Sequence, residues 1–385
     1  MASYKSASLA RQLTQAGAEV DVVLTRSAQE FVGAVTFEAL TGRAVHTALI
    51  AAGHALDHIK LARAADGVVV APATADFLAR AAQGQADDLL TACLLATTAP
   101  VLLVPAMNDR MWAHPQTTRN VAHLRELGYR VLDPDIGELA VGEGIGPGRM
   151  PEPEAILAHV GRLLEATGTL ADKHVLVTAG PTREALDPVR FISNRSSGKM
   201  GVAIAAAAWR RGAKVTLVTG PLGTPAPVGV QVVAVESTAD MHQAVAAALP
   251  RADVLVMAAA PSDFRPEAAA DQKIKKSSAP DAIALAPTAD ILMSTIAQRT
   301  DGTIVVGFAL ETENVLENAR GKLASKALDL IVVNDATEAG AGFEVDTNRV
   351  TLIGRDRDVE ALALMSKGDV AEAILDRVEG LIRGS

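Results

Sequence analysis

Short apolar runs alternate along the whole chain with stretches whose apolar positions recur at helical spacing, an order that predicts an α/β protein. In the first half the predicted strands are EVDVVLT (19–25), GVVVAPA (67–73), PVLLVPAM (100–107) and YRVLD (129–133). In the second they are HVLVTAG (174–180), KVTLVTG (214–220), VQVVAVE (230–236), DVLVMAAA (253–260), TIVVGFA (303–309) and DLIVVND (329–335), with RVTLIG (349–354) as an edge strand. Helical stretches such as SLARQLTQAGAE and KMGVAIAAAAWRRGAK lie between them. Strands joined by helices pair in parallel, so two doubly wound sheets in tandem are expected. A helix finishing in ILAHVGRLLEATG turns through Gly168 into a new strand, which sets the expected domains at 1–168 and 172–385. The second domain opens with a strand, but the first opens with a helix. Its leading strand and phosphate-binding turn are expected to be missing.

Composition narrows the function. A chain of 385 residues exceeds one ordinary core. A net charge of −9 argues against a nucleic-acid surface, so any phosphate site must be local. The sequence has no run of about 18 apolar residues and no signal-peptide start, so no membrane association is expected. Cys93 is the single cysteine; it fits a reducing cytoplasm and reads as a buried thiol on an apolar helix. The eight histidines show no metal-ligand spacing.

The densest chemical signal is TAGPTREALDPVRFISNRSSGKMGVAIA (178–205). Pro188 and the Ser/Asn/Gly cluster at 193–198 delay the helix until Lys199, leaving backbone N–H groups, Arg190, Asn194 and Arg195 at its start. Such a helix start favours a phosphate or carboxylate, although a capped helix with a polar lead-in is the plain structural reading. Lys273, Lys275 and Lys276 follow the strand end MAAAPSDFRP, and Lys322 and Lys326 precede another strand. Converging lysines on an acidic protein imply a polyphosphate, hence a nucleotide with Mg2+.

These residues, with LAPTADIL (285–292) and GFEVDTNRVTLI (342–353), closely resemble the phosphopantothenate–cysteine ligase half of the bifunctional coenzyme A biosynthesis proteins. The resemblance implies CTP-dependent activation of the 4′-phosphopantothenate carboxylate as an acyl-cytidylate, then amide formation with L-cysteine. It implies roles in the acyl intermediate for Arg190 and Asn194, and Lys273 in the attack by cysteine. It also implies substrate and nucleotide contacts at Ser196, Ser197, Gly198, Asp263, Pro287, Asp290, Ile291, Phe308, Lys322 and Lys326; it indicates no metal ligands.

In the first half, ALDHIKLARAADGVVVAPATADFLAR (55–80) puts His58 on a helix before a buried strand, and PAMNDRMW (105–112) puts Asn108 past a strand end. Both placements are ordinary in structural terms. Together with GPGRMPEP they resemble the flavin-containing cysteine decarboxylases. The resemblance implies a flavodoxin-like/Rossmann-like fold with FMN lined by Thr25, Ser27, Pro72, Ala73, Thr74 and Met107. His58 is then the acid–base residue, and Asn108 binds the substrate carboxylate. In that family FMN oxidises the substrate thiol, CO2 leaves, and hydride returns to the product.

The stretch GELAVGEGIGPGRMPEP (137–153) corresponds to that family's substrate clamp. With five glycines and three prolines it is expected to form an irregular, mobile loop. Two residues depart from the pattern: Asp76 stands where the family has asparagine, and Val141 stands where it has the cysteine that protonates the product. Two readings stay open, a bifunctional enzyme or a ligase whose first domain only scaffolds a homo-oligomer, a dodecamer by resemblance. A nicotinamide oxidoreductase is disfavoured, because neither half has GxGxxG after its first strand.

Overall fold

The computed structural model describes residues 2–50, 55–275, 282–311, 315–335, 345–355 and 358–384. The chain divides into two compact units, Met1–Glu165 and Ala166–Ser385.

In the first unit a parallel three-stranded sheet runs in the order Val68–Ala73, Val101–Pro105, Arg130–Val131. Successive strand residues face opposite sides, and both sides are covered. Val70 and Leu103 pack with Phe77, Leu78, Leu94 and Leu124 on one face. Leu102 and Val104 pack with Leu9, Ile156 and Val160 on the other. The sequence expectation for 19–25 was too long: only Val22–Val23 pairs, with Val45–His46, in a separate parallel ladder. Its flanking Glu19 and Asp21 are ion-paired to Arg43 instead of joining the ladder.

The clamp expectation also needs correction. Asp135–Glu138 and Ile145–Arg149 form an antiparallel hairpin, so the glycine- and proline-rich stretch is regular along both arms. Glycine supplies close approach here rather than disorder.

In the second unit eight strands form one sheet. Their order is Gln231–Ala234, Lys214–Thr219, His174–Ala179, Val254–Met257, Ile304–Glu311, Leu330–Asp335, Val350–Gly354, Val359–Ala361. The first six are parallel, in the 3-2-1-4-5-6 order of a doubly wound fold. The last two each pair antiparallel with the strand before, so Val350–Gly354 is not the edge strand expected; Val359–Ala361 lies outside it. The strand order reverses between His174–Ala179 and Val254–Met257. A crevice opens there beyond the carboxyl ends, which makes it the favoured place for a ligand.

Helix Lys199–Arg210 packs on the first of these strands through Gly201, where a Cβ would lie 2.6 Å from that of Ala179. Gly198 caps the helix with a left-handed φ of 74°, which is why helix begins at Lys199. The polar connection before it holds a short hairpin, Arg183–Ala185 with Phe191–Ser193.

Candidate functional site

At the crevice of the second unit lies a cavity of about 400 Å³. Its walls bring together Asn194, Ser196, Ser197, Gly198, Asp263 and Phe308, six of the residues singled out from the sequence. They arrive on three separate segments: the turn before helix Lys199–Arg210, the end of Val254–Met257, and the strand Ile304–Glu311. The amide Nδ2 of Asn194 donates to the carbonyls of Pro261 at 2.9 Å and Ala260 at 3.5 Å. Its donor therefore braces the strand end, and its Oδ1 is the atom suited to meet a ligand N–H.

Arg190 and Lys273 are not in the cavity wall. The Arg190 guanidinium is tied to Asp187 and to the carbonyl of Ile274, 2.8 Å away. The Asp187 side chain is fully buried and also accepts from the N–H groups of Val189, Arg190 and Ile274. Arg190 heads the influences that hold this carboxyl well below the usual carboxylate range, and the three N–H bonds add to it. Arg190 thus organises the segment carrying exposed Lys273, a role that its sequence position did not suggest. Lys276 lies outside the described residues.

The remaining nucleotide candidates form an adjoining group. Pro287 pairs with Phe264 next to Asp263, and the Thr288 N–H donates to the Asp263 carbonyl at 2.9 Å. Asp290 caps helix Ile291–Ser294 and is ion-paired with Lys326 at 2.8 Å, one turn beyond Lys322. The side chain of Ile291 is buried in the core, so it is a packing residue that could offer only backbone to a ligand. Lys199, Asn334, Asn348 and Lys367 also line the cavity and were not foreseen. Only Lys199 had a signal, its place directly after SSG.

In the first unit the strand ends feed capped helices. The Thr74 hydroxyl accepts from Phe77 N–H at 3.1 Å, and Asn108 Oδ1 accepts from Arg110 N–H at 2.9 Å. The Thr25 hydroxyl accepts from Ala28 N–H at 3.2 Å, and Ser27 is exposed beside it. Ala106 N–H donates to the Ala73 carbonyl at 3.1 Å, joining Pro72, Ala73 and Thr74 to the Met107–Asn108 turn. Ala73 itself is buried and can meet a ligand only through its backbone. His58 lies on helix Asp57–Ala64; its Nδ1 is buried and has no hydrogen-bond partner among the described residues. An orphaned polar atom of this kind fits a site completed by a bound group.

The clamp hairpin is seated on the Asn108 turn. Met107 N–H donates to the Gly148 carbonyl, and a Cβ on Gly146 would lie 2.9 Å from that of Asp109. Val141 is fully exposed at the hairpin tip. Asp76 is ion-paired with Arg80 at 3.1 Å, which offsets the charge that replaces the family's asparagine. Cys93 is buried on helix Leu89–Ala96; burial first, then the charges of Asp57 and Asp88, push its thiol up to about 11. Among the described residues no helix is long and apolar enough to cross a membrane.

Two α/β units thus follow one another, the first with helix caps at strand ends and a glycine-seated clamp, the second with a switch-point cavity. The flavoprotein family pattern matches residues 1–165, and that of the DNA/pantothenate metabolism flavoprotein C-terminal domain matches 170–381. The coenzyme A biosynthesis bifunctional protein CoaBC of Mycolicibacterium smegmatis is 48% identical over 398 residues, covering 100% of this chain and 96% of that protein. That of Bacillus subtilis is 44% identical over 386 residues, covering 99% and 95%. A crystal structure of a CoaBC C-terminal domain has 39% identity and a TM-score of 0.49, covering 57% of this chain and 100% of that one. The chain belongs to the family of coenzyme A biosynthesis bifunctional proteins. It is an enzyme of coenzyme A biosynthesis that works from phosphopantothenate, by cysteine ligation and decarboxylation.

Proposed function

We propose that the second unit activates phosphopantothenate with CTP and passes the acyl group to cysteine. The observation that carries this reading is the switch-point cavity, where Asn194, the Ser196–Gly198 turn and Asp263 converge. In the first step a substrate carboxylate oxygen bonds to the α-phosphorus of CTP, the α–β P–O bond breaks, and pyrophosphate leaves. In the second the cysteine amine forms the C–N bond, loses a proton, and CMP leaves. Pyrophosphate departure needs cations, and Lys322 and Lys326 are assigned to the nucleotide side with Pro287, Asp290 and Phe308, while Lys273 is assigned to the attack by cysteine. Asn194 Oδ1 accepts an N–H of the incoming amine, and Arg190 holds the Lys273 segment in place for that step.

Mg2+ would be held chiefly by nucleotide phosphates, with Asp263 as the protein carboxylate. No group of three or more His, Cys, Asp or Glu suited to a metal occurs among the described residues.

The first unit is assigned FMN, lined by Thr25, Ser27, Pro72, Ala73, Thr74 and Met107; the orphaned His58 Nδ1 supports a bound group there. FMN, when bound, supplies the two-electron acceptor for the substrate thiol. His58 moves the proton, and Asn108 orients the carboxylate that leaves as CO2. Val141 has no exchangeable proton, so the final protonation falls to water or another side chain. The lone Cys93 supports a reducing, cytoplasmic setting. Exposed Val189, Phe191, Phe264 and Leu285 on the short hairpins support self-association, in a dodecamer by family resemblance.

The test is pyrophosphate release from CTP, which should occur only when phosphopantothenate is present. Release without it, or none with it, refutes the ligase assignment. The flavin absorbance of the purified protein and CO2 release from phosphopantothenoylcysteine test the first unit in the same way.

A further inference from the structure

Asn194 and Asp263 reach the cavity on distant segments of the chain, and one buried residue behind the cavity wall, Thr182, is bonded to both segments. The Thr182 carbonyl accepts the Ser193 hydroxyl at 2.7 Å, next to Asn194. Its own hydroxyl oxygen accepts the Ser262 N–H at 2.9 Å, next to Asp263. The Ala260 and Pro261 carbonyls of that same turn take the Asn194 amide. The turn is thus held at its N–H by Thr182 and at its carbonyls by Asn194.

A hydroxyl carries one hydrogen, so what Thr182 can accept depends on where its own hydrogen points. Thr238, the first residue of helix Thr238–Ala248, stands 2.9 Å from it, oxygen to oxygen. The Thr238 hydroxyl and the Thr238 N–H both donate to Glu184 Oε1, each at 2.8 Å. The Ser262 carbonyl lies 3.3 Å from the Thr238 hydroxyl and already takes the Thr288 hydroxyl at 2.6 Å, so the carboxylate is the stronger acceptor. With the Thr238 hydrogen committed to Glu184, Thr182 must donate to Thr238. Its lone pairs are left to face the Ser262 N–H. Thr182, Glu184, Thr238 and Ser262 are each at most 5% exposed, so this chain of bonds runs inside the protein. Its direction is set by the buried carboxylate.

We propose that Thr182 is a positioning residue for the ligase reaction: its hydroxyl, oriented by Glu184 through Thr238, fixes the turn that orients the Asn194 amide. This rests on the role given to Asn194 above. With the turn in place, the Asn194 Nδ2 is held by two carbonyls and its Oδ1 faces the incoming amine. Without the Thr182 acceptor the Ser262 N–H is buried and unpaired, and the turn shifts to regain a partner. Asn194 then keeps its atoms and loses its orientation.

The experiment is steady-state kinetics of amide formation by the full chain, each protein assayed well below its melting temperature. The set is wild type, Thr182→Val, Thr182→Ser, Asn194→Ala, and Thr182→Val combined with Asn194→Ala. Thr182→Val keeps the shape and removes the acceptor, and should lower kcat at least about tenfold. Thr182→Ser should restore most of that rate. In the Asn194→Ala background, Thr182→Val should cost less than about twofold more, because it acts through a group already removed. Wild-type kcat in Thr182→Val, no recovery in Thr182→Ser, or losses that multiply independently overturn the proposal. If Thr182→Val loses its cooperative melting transition, Ser193→Ala carries the same cycle on an exposed residue, with the same outcomes. If Asn194→Ala alone keeps the wild-type rate, the role of Asn194 falls and this inference with it. A slow Asn194→Ala beside a fast Thr182→Val removes this inference only.

Discussion

Met107 N–H donates to the Gly148 carbonyl at 3.0 Å, and a Cβ placed on Gly148 would stand 2.1 Å from the Met107 oxygen. The clamp hairpin therefore meets the Asn108 turn backbone to backbone at Gly148, at a distance only glycine allows. Gly148→Ala should force the two apart at a cost of about 1–3 kcal/mol, the range for overpacking. Phosphopantothenoylcysteine decarboxylation should fall while CTP-dependent pyrophosphate release is kept. Parallel assays of both activities, with a thermal melt, check this; unchanged decarboxylation would show that the seat is dispensable.

Asn194→Ala and Lys273→Ala should each lower amide formation at least about tenfold, roughly 1.4 kcal/mol of transition-state stabilisation. Asn194 loses both its brace on Pro261 and its acceptor, whereas Lys273 loses only a charge. Quenched single-turnover measurements with CTP and cysteine distinguish them from wild type, and wild-type rates would sink both assignments.

Asp187→Asn should loosen the turn that pins Ile274 and with it the Lys273 segment. The direction with pH follows from its depressed carboxyl. A folded-state pKa below the unfolded value gives stability that is present above the unfolded value, about 3.9. That stability drains away as pH falls from there toward the folded-state value. Acid unfolding followed by circular dichroism should show wild type losing stability relative to Asp187→Asn below about pH 4. Parallel acid curves for the two proteins would contradict this.

Cys93, with its thiol pushed up to about 11, carries roughly one thiolate in a thousand at pH 8. Native protein should resist iodoacetamide and react fully once unfolded, as mass spectrometry of the Cys93 peptide will report. Rapid native labelling would show the thiol is accessible and open a catalytic role that its burial denies.

Val141→Cys restores an exchangeable proton at the hairpin tip. It should speed the return of oxidised flavin absorbance after anaerobic mixing with substrate, by at least about threefold if protonation limits that step. FMN binding, read from the resting spectrum, should stay the same. An unaltered rate would show that the solvent or another side chain already supplies the proton.

Sequence alone determined much of this protein. Apolar period and strand–helix alternation are local properties, so the doubly wound class and most strands of the second unit were legible from them. Gly198 likewise announced the helix start, because a left-handed residue is a local demand. Asn194, the Ser196–Gly198 turn, Asp263 and Phe308 were legible as motif residues, and the fold gathers them in one cavity.

Tertiary structure decided what depends on distant partners. The clamp looked irregular because glycine and proline are weak strand formers, yet its two arms pair and lie against Met107 and Asp109. The partners of Arg190 were not legible either: its guanidinium is tied to buried Asp187 three residues earlier and to the Ile274 carbonyl, far along the chain. Lys367 begins a helix that no motif marks, and only folding brings it beside Lys199, 168 positions earlier by their residue numbers. Charge in a sequence is a count; its cost and its use depend on burial and on which other charges the chain folds against it.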